Sequence, residues 1–399
     1  MKTKLLATAV TAALCGGAYA AEVQMFGFLD QGIAYLHEDL NAGMAAPVGQ
    51  KTANVLDANG FVSRAGSKSG MSQGTGNVST WGFKGSEKIS DDLDVIFHLE
   101  NGFLPDDGTF YMSNTLFERE STVGLRSKTY GEFKAGRMPA LTTGSGTTGL
   151  FNSRVNPFGA GWGNQTGGWK FVGTLASARW NNMINWKSPV WNGVQLYAQH
   201  SLGAKSDEHE GSARTNRWSA VGASVTGQNY FLAAAVDWIK NSNLNTAEKA
   251  TSLSPAKDQW KAIVGGHYRV NEDVKVYGTV QYLKNVTYIG GYSTKEWAPV
   301  KSANDKLTKG FESWAVATGF DTKLAGGTVK ASVGYGWGEN QNVDTQNKFQ
   351  RVNAGLGYVY PLSKRTSVYG IAGYFWQDAD WQKEDISSHE AIFGLMHRF

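Results

Sequence analysis

The chain has 399 residues, with 38 Lys and Arg against 34 Asp and Glu, so no global charge points to nucleic acid. A single cysteine, Cys15, excludes a disulfide scaffold and a cysteine metal site. With 49 glycines, 12% aromatics and only 8 prolines at a mean hydropathy of −0.34, the composition suits a polar-lined β-structure, although a Gly-rich secreted sandwich would share it.

Taken in chain order, the first segment reads as a secretory signal. Lys2 and Lys4 precede an apolar run from Leu5 to Leu14, and Ala18-Tyr19-Ala20 is a small-x-small cleavage site. That run is too short to cross a bilayer as a helix, which needs about 20 residues. Cleavage is expected after Ala20, leaving residues 21–399 as one domain without cysteine; Leu14 argues against lipid attachment at Cys15. Removing Lys2 and Lys4 leaves 36 basic against 34 acidic residues.

The mature chain then alternates with period two. Leu93, Val95, Phe97 and Leu99 interleave with Asp94, Ile96, His98 and Glu100, and Trp81 and Phe83 with Thr80, Gly82 and Lys84. Such segments are half-buried strands. Sixteen are expected, near 22–36, 76–88, 91–104, 115–127, 130–138, 177–189, 193–203, 214–226, 229–241, 258–270, 273–286, 310–323, 327–339, 348–361, 366–378 and 388–399. Most have 10–15 residues, enough to cross a bilayer at a tilt.

Their connections alternate in length. Seven are tight, among them Ser90-Asp91-Asp92, Gly227-Gln228-Asn229, Asn271-Glu272-Asp273 and Ala325-Gly326-Gly327, with residues that suit hairpin φ values. Eight are longer and polar, near 37–75, 105–114, 139–176, 204–213, 242–257, 287–309, 340–347 and 379–387. Short turns on one rim and long loops on the other define a transmembrane 16-stranded antiparallel β-barrel. An even count puts both termini on the short-turn rim. There strand 16, ending Ala391, Phe393, Leu395, His397 and Phe399 on one face, can pair with strand 1; an open edge in hydrocarbon would strand backbone groups.

At this point the chain resembles the trimeric general porins of Gram-negative bacteria, especially the β-proteobacterial type. The likeness is carried by Trp81-Gly82-Phe83-Lys84-Gly85-Ser86-Glu87, Ile96 to Phe103, Arg119 with Val123-Gly124-Leu125, Gly131-Glu132-Phe133-Lys134-Ala135-Gly136-Arg137, Asn182 to Ser188-Pro189 and His397-Arg398-Phe399. It implies an outer-membrane porin for passive diffusion of small hydrophilic solutes and ions. It also implies a homotrimer among outer-membrane lipid and a third loop folded into the barrel. The Phe399 strand would be the signal read by the barrel-assembly machinery. No cofactor, metal, nucleic-acid partner or enzymatic activity is expected.

The third long loop, about Met138 to Ser177, holds the expected constriction. From Met138 to Met183 there is no Asp or Glu, and the charges are Arg154, Lys170 and Arg179. This departs from the family pattern, in which loop carboxylates face basic wall residues. An Arg or Lys facing lipid near mid-membrane costs about 2–4 kcal/mol, so strand charges mostly point inward. Lys84, Asp94, His98 and Glu100 read inward by alternation, as do Glu118, Glu120 and Arg126 on one parity. The resemblance favours Arg119 and Arg137 as pore-lining; alternation does not, and their facing stays open. Basic residues outnumber acidic ones around the constriction, which favours anions.

Other signals weigh less. Trp162 and Trp169, with Phe151, Phe158 and Phe171, could form a stacking path for sugars in a substrate-selective channel; packing of the loop on the wall is the plainer reading. Gly144 to Gly149 matches G-x-G-x-x-G but lacks the following helix and acidic residue of a dinucleotide site. Asp207-Glu208-His209-Glu210 reads as a solvated charge run. A barrel enzyme would start from His98 and Glu100, two residues that do not make a triad alone. An adhesin is the remaining alternative. Trp238, Tyr268, Tyr358 and Trp376 fit interfacial girdles.

Overall fold

The computed structural model describes residues 22–39, 65–73, 76–143, 146–159, 162, 179–204, 216–240, 258–286, 288–289, 292–293, 310–341, 347–380 and 385–399, plus short strands at 44–45, 55–56 and 61–63. The expected signal segment, Lys170, Trp169 and the 207–210 charge run lie outside the described residues.

Sixteen transmembrane strands form one closed antiparallel sheet. They are β1 (Glu22–Asp39), β2 in two segments (Ala65–Gln73 and Thr80–Lys88), β3 (Leu93–Gly102), β4 (Glu120–Ser127), β5 (Gly131–Pro139), β6 (Arg179–Lys187), β7 (Val194–Ser201) and β8 (Arg217–Thr226). There follow β9 (Tyr230–Lys240), β10 (Gln259–Arg269), β11 (Val274–Val286), β12 (Phe311–Leu324), β13 (Gly327–Asn340), β14 (Lys348–Pro361), β15 (Thr366–Ala379) and β16 (Ile386–Arg398). Each strand pairs with its sequence neighbour, and β1 also pairs with β16 from Phe28↔Arg398 to Asp39↔Ser387. All sixteen expected strands are present. The segment Ala65–Gln73, expected as loop, instead extends β2 and covers the loop-side half of β1, from Gln31↔Gln73 to Asp39↔Ala65. Its Gly- and Ser-rich sequence carries no hydrophobic alternation that would mark it.

Alternation sets the faces. On β9, Phe231, Ala233, Ala235 and Asp237 are buried toward the lumen, while Leu232 and Val236 are exposed on the outside. Val221, Val264, Val280, Val316, Val333 and Phe393 continue this apolar outer band, as a lipid-facing surface requires. Aromatics flank it. Trp238 and Trp260 stack at 5.7 Å near the loop end, where Trp314, Trp337 and Trp376 also lie. Near the turn end, Tyr358 donates to the Leu324 and Ala325 carbonyls, and Tyr230 lies opposite Tyr268.

The seam is closed by the chain end. Gly27 N and Phe399 O, and Phe399 N and Gly27 O, bond at 3.1 Å each. The Phe399 ring lies over Gly27, where a Cβ would come within 1.9 Å of the ring. Only a residue without a side chain leaves that space.

Candidate functional site

On the β2–β6 wall the inward residues form a ladder of charges. Register places Lys84 opposite His98, His98 opposite Thr122, Glu100 opposite Glu120, and Glu132 opposite both Arg126 and Lys187. Glu100 takes His98 Nε2 at 3.2 Å on one oxygen and Arg119 Nε at 2.5 Å on the other. Lys134 Nζ lies 3.6 Å from Glu120 and 3.4 Å from Glu132. Glu132 also faces Arg126 at 3.2 Å and Lys187 at 3.7 Å. Across the lumen Asp237 pairs with Lys261 at 2.9 Å, and Asp321 with Lys275 at 3.8 Å and Lys330 at 3.7 Å. Burying these groups is tolerable only because each carboxylate meets a cation.

The third loop leaves the wall at a bulge. Gly136 pairs with Met183 and Met138 with Trp180, so β6 carries one extra residue there, with Asn182 at φ +54°. Gly136 itself has φ +132°, and a Cβ on it would sit 2.1 Å from the Ser121 carbonyl oxygen. The chain then turns inward and runs around the inner wall strand by strand. Leu141 N donates to Gln199 on β7 at 2.6 Å, and the Thr142 hydroxyl donates to Asp237 on β9. Leu150 N bonds Leu141 O and Phe151 N bonds Thr143 O, closing the loop's first arm. Thr147 ties that arm to the charged wall: its hydroxyl donates to Glu120 at 2.6 Å and accepts from Lys134 at 2.9 Å.

A single helical turn, α1 (Asn152–Val155), lies against β10 and β11. Its end leaves carbonyls without intrahelical donors, and wall side chains supply them. His267 Nδ1 meets the Arg154 carbonyl at 2.7 Å, Thr279 Oγ1 donates to Val155 O at 3.0 Å and Lys330 Nζ to Pro157 O at 3.0 Å. Leu141, Leu150, Phe151 and Val155 are fully buried with Met183, Trp218, Phe231 and Ile263. Each such burial is worth about 1.5–3 kcal/mol before the cost of ordering the loop. Phe158 packs on Tyr369, Ile371 and Ile392. Beyond it Trp162 meets Phe158 at 5.9 Å and Tyr369 at 5.5 Å, with Lys330 over its ring at 6.0 Å. The Tyr369 hydroxyl donates to buried Asp30, which also holds the amides of Gly76 and Asn77 from the link between the two segments of β2.

The residues singled out from sequence separate into groups. Lys84 is exposed in the lumen, with Phe26 beneath it at 5.5 Å. Arg126 is half-exposed beside Glu132. Arg119 lies just outside the β4 ladder; its amide and its Nε both bond Glu100, which brings it to the lumenal side despite its parity. Arg137 keeps the outward parity of Phe133 and Ala135, opposite Ser121, and is held by the Glu118 carbonyl and Asn181. Arg179 donates to the Arg119 carbonyl at the loop's root. Arg154 is the one charge of the third loop among the described residues, and it is exposed. No sequence signal marked His267, Thr279, Lys330 and Gln199 as the loop's anchors, although each has inward parity. His98 and Glu100 belong to the ion-pair ladder.

Within the ladder and the pairs across the lumen, the charge left over is cationic, whereas buried Asp30 is held by a hydroxyl and two amides. Glu100, Glu120, Glu132, Asp237 and Asp321 are each within ion-pair distance of a cation. Lys84 and Arg154 have no carboxylate partner among the described residues.

Comparison with known proteins agrees with this geometry. The model of the Gram-negative porin family matches residues 7–380. An outer membrane porin protein of Bordetella pertussis is 28% identical over 433 residues, covering 100% of both chains. Outer membrane porin protein 32 of Delftia acidovorans is 26% identical over 382 residues, 93% of this chain and 88% of that one. An anion-selective porin from Comamonas acidovorans superimposes with a TM-score of 0.61 at 20% identity, over 95% of this chain and 100% of that one. A closed barrel of sixteen strands, a third loop laid inside it and a family match over nearly the whole length carry one conclusion: this chain belongs to the Gram-negative porins of the outer membrane.

Proposed function

We propose that the channel prefers anions weakly and passes small hydrophilic solutes by diffusion. One observation carries the preference: Glu100, Glu120, Glu132, Asp237 and Asp321 are consumed by ion pairs, while among the described residues Lys84 on the wall and Arg154 on the loop meet no carboxylate. Unpaired cations raise the local anion concentration and the barrier to cations. Arg119 and Arg126 on the β4 wall are spent on Glu100 and Glu132; Lys170 would add to the field from the loop. Arg137 and Arg179 act instead at the loop's root. Planar-bilayer reversal potential in a KCl gradient tests the reading. A potential of the chloride sign supports it; one of the potassium sign overturns it. Current block by added sugars would shift the reading to a substrate-selective channel, with Trp162 and Trp169 as its stacking residues.

The working unit is proposed to be a homotrimer, read from triplet conductance steps or from heat-dependent gel mobility. Cleavage after Ala20 is checked by the N-terminal residue of the mature protein. The Phe399 strand is proposed as the segment read by the assembly machinery, because it closes the seam last in sequence.

A further inference from the structure

Arg154, the one charge of the third loop among the described residues, is held in an unusual setting. The Arg154 guanidinium lies 4.9 Å over the Phe231 ring, and its own backbone carbonyl is bound by His267. Phe231, His267 and Tyr277 are direct register partners across β9, β10 and β11, with ring centroids 5.8 Å and 5.8 Å apart. Phe231 and Tyr277 are buried, so the row is a floor beneath the arginine. Lys275 caps its far end at 4.9 Å from Tyr277, and Asp321 there is already engaged by Tyr277 at 2.5 Å and by Lys275 and Lys330. No carboxylate reaches Arg154 among the described residues. One face of the guanidinium is thus covered by the ring, and its N–H edge is left for the lumen.

A guanidinium edge offers two parallel N–H groups that match the two oxygens of a carboxylate or phosphate; an ammonium offers only a point charge. We infer that Arg154 is a docking point for small oxyanions on their way through the pore, so that phosphate and carboxylates dwell there while chloride does not. This rests on the lumen being the solute path, and it adds a ligand class to the anion preference. The partly desolvated, ring-backed position strengthens the contact, and the anchored carbonyl spares the loop any ordering cost on binding.

The test is chloride conductance of the purified full-length protein in planar bilayers, with inorganic phosphate added at constant ionic strength. Phosphate is expected to reduce the chloride current of the wild type. Arg154→Lys should keep the sign of the reversal potential yet raise the half-blocking phosphate concentration about tenfold, the worth of one charge-assisted hydrogen bond. Arg154→Gln should abolish the block. Unchanged heat-modifiable mobility identifies folded variants. Equal block in wild type and Arg154→Lys, block that survives Arg154→Gln, or no block in a chloride-preferring wild type would overturn the docking point and leave the ion preference standing. A potassium-preferring wild type still blocked by phosphate through Arg154 would overturn the preference and keep the docking point.

Discussion

At the scale of single residues, charge placement follows from what each group can find as a partner. Asp92 sits in the turn between β2 and β3, outside the membrane-spanning segments. It accepts from the Ser127 hydroxyl at 2.7 Å and from the Thr129 amide and hydroxyl at 3.1 and 3.0 Å, which fastens one short turn to the next. These bonds, the Ser127 hydroxyl first, hold its carboxyl below the ordinary carboxylate range. A depressed pKa stabilises the fold above the unfolded value, near pH 4, and that contribution is lost as pH falls through the folded value. Protection of the Thr129 amide from hydrogen exchange, relative to its intrinsic rate at each pH, should be present at neutral pH and fall in that acid window; in Asp92→Ala it should be low throughout. Asp237 is the opposite case, buried with Lys261 at 2.9 Å and the Thr142 hydroxyl. Lys261→Met strands that carboxylate and should cost about 3 kcal/mol. The double variant with Asp237→Leu should recover most of it, as read by urea unfolding in detergent.

At the scale of elements, the third loop is the part with two jobs, since it must narrow the pore and must not wander. Its docking is distributed: four apolar side chains in the inner wall, and wall donors on the carbonyls of Arg154, Val155 and Pro157. Removing two of those donors together, Thr279→Val with Lys330→Met, is expected to leave the barrel intact. Open-channel current noise should rise and the 139–178 segment should become cleavable by added protease; unchanged noise and resistance would mean that the apolar contacts alone hold the loop. The bulge that launches the loop depends on Gly136 at φ +132°. Gly136→Ala should destabilise the barrel by roughly 1–3 kcal/mol, because a side chain there is both strained and in contact with the Ser121 carbonyl. The sequence showed that this loop was long, lacked carboxylates and carried Arg154. It did not show that Arg154 rests on Phe231, 77 positions further on, because strand register alone brings those two together.

At the scale of the whole molecule, stability depends on a sheet with no free edge. Register between β1 and β16 spans Phe28 to Asp39, and Phe399 continues it through paired hydrogen bonds with Gly27. A valine at position 27 collides with the Phe399 ring. Gly27→Val should therefore slow closure and lower the fraction of heat-modifiable, folded barrel on refolding from urea; Gly27→Ala should do so less. Normal refolding of Gly27→Val would show that the ring can leave its place at no cost.

Much of this was legible in the residues. Period-two alternation placed sixteen strands, because each strand faces lumen on one side and lipid on the other, and the parity of loop lengths told the two rims apart. Alternation also placed Lys84, His98 and Glu100 in the lumen. It stopped where the ladder stops: Arg119 lies one residue beyond β4 and turns inward onto Glu100, whereas Arg137 stays on outward parity beside the bulge. It likewise missed the Ala65–Gln73 extension, whose small polar residues show no pattern until β1 offers its backbone as a partner. Period and composition thus determined the barrel. Which carboxylates are neutralised, where the third loop lies and which cations keep their charge for the lumen were decided by register across the closed sheet. That register brings together side chains far apart in sequence, and no local pattern encodes it.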